Sequence, residues 1–182
     1  VEYAGERGAR QNGSTTSQDL LISRTESSRN AERLLKESLE LMLRPGRAGT
    51  DAVVVAHSQR CLVLRLVLED LVNNAGGAMR DRMRQHLRVN TFGNPGINWR
   101  VENNPARELR SFARTTEHFA NRADFVARLG VLGPRKETVG DDNGYSNVFV
   151  NESWKGHLFG AQYSLDDDDY VEGDRSWLLT TA

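Results

Sequence analysis

Apolar positions along the chain change period several times, and each change marks a different element. Ala31, Leu34, Leu35, Leu39, Met42 and Leu43 recur close to every 3.6 residues, with Pro45-Gly46 as a stop. This predicts an amphipathic helix capped by Ser27 or Ser28. Residues 52–56, Ala-Val-Val-Val-Ala, form a β-branched run without polar alternation, which predicts a parallel strand covered on both faces. Residues 59–73 are apolar nearly all round and read as a helix buried against that strand's sheet. A polar helix follows the Asn73-Asn74-Ala75-Gly76-Gly77 break, and then residues 87–92 alternate as a strand that stops at Gly93-Asn94-Pro95-Gly96. Residues 116–120 and 147–150 predict two more strands. Helices alternating with covered strands imply an α/β protein of three α/β/α layers around a mostly parallel sheet.

Residues 1–26 are rich in Gly, Ser, Thr, Arg and Glu, with Asp19-Leu20-Leu21-Ile22 as the sole apolar island, and read as a flexible or poorly ordered segment. The rest, 27–182, reads as one domain, its polar, glycine-rich stretch at 133–146 being the best place for a mobile surface loop. The first residue is Val1 rather than Met, so the chain reads as N-terminally incomplete. No apolar run near the start resembles a signal peptide or a spanning helix; with an incomplete start, localisation is unreadable from targeting signals, an intracellular (cytoplasmic) setting being slightly favoured.

Composition narrows the partners. A net charge of −1 gives no global pull toward nucleic acid or anionic lipid, and the basic cluster at 82–88 reads as a solvated helix end rather than a polyanion site. Cys61 is the only cysteine, which excludes an internal disulfide and a cysteine-rich zinc site. Asp166-Asp167-Asp168-Asp169 lacks the spacing of a calcium loop and reads as solvated charge. No metal or cofactor is expected, and a nucleotide-binding domain is disfavoured because no glycine-rich phosphate loop follows the first strand.

The junction Val55-Ala56-His57-Ser58-Gln59-Arg60 carries the chemistry. A serine on a sharp strand-to-helix turn has its hydroxyl lifted over the carboxyl edge of the sheet, and the N–H of the next residue lies at a helix N-terminus. The alternative is that Ser58 only caps the helix. Nucleophilic attack also needs a base and an acid to orient it, in the order Ser, Asp or Glu, His for a hydrolase built on such a sheet. Asp124 follows the strand at 116–120, and His157 follows the strand at 147–150. His57 belongs to the turn and is expected to point away into packing. His86 lies in a basic helix, and His118 and Glu117 lie inside a strand. Asp141 and Asp142 fall in the glycine-rich loop, where a carboxylate is harder to hold.

Ala56-His57-Ser58-Gln59, Thr91-Phe92-Gly93-Asn94-Pro95, Asn121-Arg122-Ala123-Asp124-Phe125-Val126 and Gly156-His157, in that order, resemble the C-terminal half of an α/β-hydrolase domain of the lipase or serine esterase type. The resemblance covers about residues 28–165. It implies hydrolysis of a carboxylic ester, from a small molecule or a lipid, with Ser58 as nucleophile, Asp124 as acid and His157 as base. His57, Gln59 and Arg60 would form the elbow, the Gln59 N–H serving as oxyanion donor, and no cofactor would be needed. Two features depart from the family. Arg60 stands where glycine is usual, and the 57 residues before Ser58 contain no His-Gly type loop to supply a second oxyanion donor. They leave open a catalytically impaired domain that binds a ligand or a protein.

Overall fold

The computed structural model describes residues 26–44, 50–102, 104–133, 143–153 and 155–181. The segment expected to be flexible, apart from its last residue, and most of the glycine-rich stretch, Asp141 and Asp142 included, lie outside the described residues.

In chain order the helices are α1 (Glu26–Met42), α2 (Arg60–Asn74), α3 (Gly77–His86), α4 (Phe125–Leu129) and α5 (Trp177–Thr181). The strands are β1 (Ala52–His57), β2 (Leu87–Phe92), β3 (Arg100–Val101), β4 (Asn104–Glu108), β5 (Thr115–Asn121) and β6 (Val148–Asn151). Four of these make the central sheet in the order β1-β2-β5-β6, each neighbour parallel, while β3 and β4 form a small antiparallel hairpin. The protein is therefore of the α/β class.

The pleat sorts side chains onto two faces. On one, Ala52, Val54, Ala56, Leu87 and Val89 pack against Leu39 and Leu43 next to and within α1, Cys61, Leu64 and Leu68 of α2, and Met83 of α3. On the other, Phe92, Phe119 and Phe149 stack in sequence across three strands, with centroids 4.6 and 5.4 Å apart, beneath Tyr163, Tyr170 and Leu179. This second layer is made of turns and one short helix. Glu117 of β5 holds it down, accepting hydrogen bonds from Ser176 Oγ (2.9 Å), Trp177 N (2.7 Å) and Leu178 N (3.1 Å).

Two expectations need correction. β1 is not covered on both faces: it lies at the end of the sheet, and Val53 and Val55 are 42% and 49% exposed. The C-terminal cover reaches Arg88 and Phe92 of β2 and His57 at the end of β1, and among the described residues it leaves Val53 and Val55 exposed. Arg88, read as part of a solvated basic helix end, is instead buried in β2. Its guanidinium bonds to Asp51 (2.5 Å) and lies 3.9 Å from the Trp177 ring centre. Among the described residues no helix is long and apolar enough to cross a membrane.

Candidate active site

Parallel strands in register deliver their following loops to one edge of the sheet. Ser58 follows β1, Gly93 follows β2, Asp124 follows β5 and His157 follows β6.

At Ser58 the chain turns from strand to helix within two residues. Its N–H donates to Phe92 O (2.9 Å), its carbonyl accepts from Cys61 N (2.9 Å), and its φ of 58° lies in the left-handed region. A non-glycine residue there is strained, and such strain concentrates where a side chain must be aimed. Ala56 is buried beside the turn, where a larger side chain would hold strand and helix apart. Gln59 has helical dihedrals (φ −54°, ψ −28°) and opens α2, so its N–H belongs to the amino end of that helix, where negative charge is favoured. Arg60 is exposed and has no ion pair among the described residues. The N-cap of α2 is Gln59 rather than Ser58, and the serine hydroxyl faces His157.

Asp124 is 1% exposed and is the N-cap of α4, its Oδ1 accepting from Val126 N (2.8 Å). Its other oxygen, Oδ2, lies 2.8 Å from His157 Nδ1, and His157 Nε2 lies 2.7 Å from Ser58 Oγ. One neutral tautomer satisfies both contacts: Nδ1–H donates to the carboxylate and the Nε2 lone pair accepts from the hydroxyl. Gly93 makes room for this pair. With φ at 55°, a Cβ built there would come 2.7 Å from Asp124 Oδ2 and 3.0 Å from His157 Cε1.

The loop carrying His157 is held by Asn121, whose Nδ2 donates to Gly156 O (2.8 Å) and Gln162 O (3.0 Å). His57 adds a third anchor. Rather than pointing away into separate packing, it donates through Nε2 to His157 O (2.7 Å), and the two rings lie 4.5 Å apart. The alternation of β1 explains this, since His57 pairs with Phe92 and shares its face, over which the C-terminal segment returns. Burial chiefly holds the His57 pKa below the usual histidine value.

The structure thus brings Ser58, Asp124 and His157 together, with His57 and Gln59 beside them and Arg60 exposed at the rim. It leaves the remaining candidates elsewhere. His118 is fully buried on the helix-covered face against Trp99 and Tyr145, and Glu117 is taken up by the C-terminal segment. His86 lies 3.7 Å from Asp51, at the opposite end of the strands. Cys61 is buried, and burial pushes its thiol pKa up. Asp169 pairs with Lys155 (2.5 Å), and Asp166 accepts from Asp168 N (3.2 Å) within a single 3₁₀ turn.

Sequence reasoning missed Tyr163, whose hydroxyl donates to Asp124 Oδ2 (2.5 Å). No motif surrounds it. It also missed the exposed apolar residues next to both loops, Phe125 and Leu129 after Asp124, and Leu158 and Phe159 after His157. Compared with protein-family models, with curated proteins and with solved structures, the chain matches none.

Proposed function

We propose that the chain is a serine hydrolase of the α/β-hydrolase type that cleaves carboxylic esters. One observation carries this reading: a serine in a left-handed strand-to-helix turn is hydrogen-bonded to a histidine, which is hydrogen-bonded in turn to a buried aspartate. The parallel order β1-β2-β5-β6, with the serine after β1, agrees with the C-terminal half of that fold.

Ser58 Oγ attacks the acyl carbon as His157 Nε2 takes its proton, and the carbonyl oxygen becomes an oxyanion beside the Gln59 N–H. Asp124 fixes the tautomer and stabilises the imidazolium. His157 then gives the proton to the departing alkoxide. Water, activated by the same imidazole, hydrolyses the acyl-serine and returns the proton to Ser58. Phe125, Leu129, Leu158 and Phe159, exposed and close in the chain to Asp124 or His157, suit an apolar acyl or alcohol group, such as that of a lipid ester.

A fluorophosphonate probe should label the native chain, and labelling should be lost in Ser58→Ala and fall at least about a hundredfold in rate in His157→Ala. A folded chain that stays unlabelled removes the hydrolase reading. It favours the noncatalytic alternative, a hydrolase-like domain that binds a ligand or protein, for which exposed Arg60, Val53 and Val55 speak.

A further inference from the structure

Asp124 Oδ2 accepts from two side chains, His157 Nδ1 at 2.8 Å and the Tyr163 hydroxyl at 2.5 Å, whereas Oδ1 is engaged separately by Val126 N. Two donors on one oxygen compete for the same charge. We propose that Tyr163 is a positioning residue that weakens the hold of Asp124 on a protonated His157 and so keeps the imidazole available as a base at lower pH. The kinetic side of this role rests on the serine hydrolase reading, whereas its electrostatic side does not.

The direction of the Tyr163 bond follows from its surroundings. The phenol oxygen accepts from Asn121 N (3.2 Å), so its own proton is directed to the carboxylate. The ring cannot swing away, because it is 3% exposed and wedged against the rings of Phe92 (5.7 Å) and His57 (5.8 Å). Burial, with the hydrogen bond to Asp124, pushes the phenol pKa up, so the hydroxyl keeps its proton over the working range.

A charge-assisted hydrogen bond draws electron density from the carboxylate, and a carboxylate with less charge is a poorer partner for an imidazolium. Other polar groups adjoin the pair. From the β1 turn come the Ser58 hydroxyl and the His57 ring, and the cation of Arg60 acts on His57. Tyr170 of the C-terminal segment acts on Tyr163 itself, and burial raises its phenol pKa too. Among these, Tyr163 alone donates to the oxygen that faces His157.

Tyr163→Phe keeps the ring and removes the donor. In hydrolysis of p-nitrophenyl acetate its acid limb of kcat/KM should move to higher pH by about half a unit or more. Placing 3-fluorotyrosine at 163, a stronger donor, should move the limb the opposite way. A merely structural role would lower the profile equally at every pH and leave both limbs in place, and that result overturns the proposal.

A second arm needs no turnover: nuclear magnetic resonance titration of histidine-labelled protein, reading the residue 157 imidazole in the native chain and in both variants. The same two opposite displacements are expected, and coincident titrations overturn the role of Tyr163. If the native chain neither hydrolyses the ester nor labels, the hydrolase reading fails while this arm still decides on Tyr163. If Tyr163→Phe does not fold, the fluorotyrosine protein carries the test alone.

Discussion

His118 shows how differently one residue type behaves at two depths of the same sheet. It lies in β5, as does Asn121, but faces the helices, sharing a hydrogen bond through Nδ1 with Thr91 Oγ1 (2.7 Å) while Nε2 has no partner among the described residues. Burial drives its pKa from 6.5 down to about 3. Between these values the unfolded chain binds a proton that the folded chain refuses, so stability falls as pH drops from about 6.5 towards 3 and is unaffected above that window. Urea unfolding at a series of pH values should show this loss with the slope of one proton. His118→Gln, though less stable at neutral pH, should be flatter by that one proton, and an unchanged slope would mean that His118 is protonated in the fold. The sequence placed His118 in a strand but carried no sign of which face it takes, because Thr116 and Glu117 beside it are equally polar.

At the scale of elements, the second layer depends on one carboxylate. Glu117, 4% exposed, takes the first backbone amides of α5 together with the Ser176 hydroxyl. Removing it leaves the buried Ser176 hydroxyl and two part-buried amides without this acceptor and takes away three charge-assisted hydrogen bonds. Glu117→Ala should therefore cost about 2–4 kcal/mol in thermal or urea unfolding and speed proteolysis within residues 164–181. A variant cut no faster there would show that the aromatic contacts hold the cover alone. The strands β1, β2, β5 and β6 and the buried helix α2 were legible because β-branched runs and unbroken apolar stretches differ in length and composition. The hairpin of β3 and β4 was not, since Arg-Val-Glu-Asn-Asn-Pro-Ala-Arg-Glu has no apolar alternation. Nor was the C-terminal cover, whose 3₁₀ turns run through Asp-Asp-Asp and Gly-Asp-Arg. The run at 52–56 misled for a related reason: three valines read the same whether or not anything covers them, so the exposure of Val53 and Val55 is written only in what packs beside them.

For the molecule as a whole, β1 is the edge of the sheet among the described residues, with no Asp, Glu, Lys or Arg in it and with Val53 and Val55 exposed, the kind of strand that recruits another. Val55→Lys places a charge on that strand without touching the helix-covered core. It should raise the concentration at which light scattering reports self-association while leaving the far-ultraviolet circular dichroism unchanged. Equal scattering from both proteins would show that β1 does not drive association. The meeting of Ser58, Asp124 and His157 was legible from their order after successive parallel strands, whereas Tyr163 was not, because a tyrosine in a turn has no spacing to announce it. The same order governs biosynthesis. Ser58 leaves the ribosome about a hundred residues ahead of His157, Tyr163 and the amides that clasp Glu117. During synthesis Ser58 therefore stays without its hydrogen-bond partner until residues 157–178 have been translated and folded back.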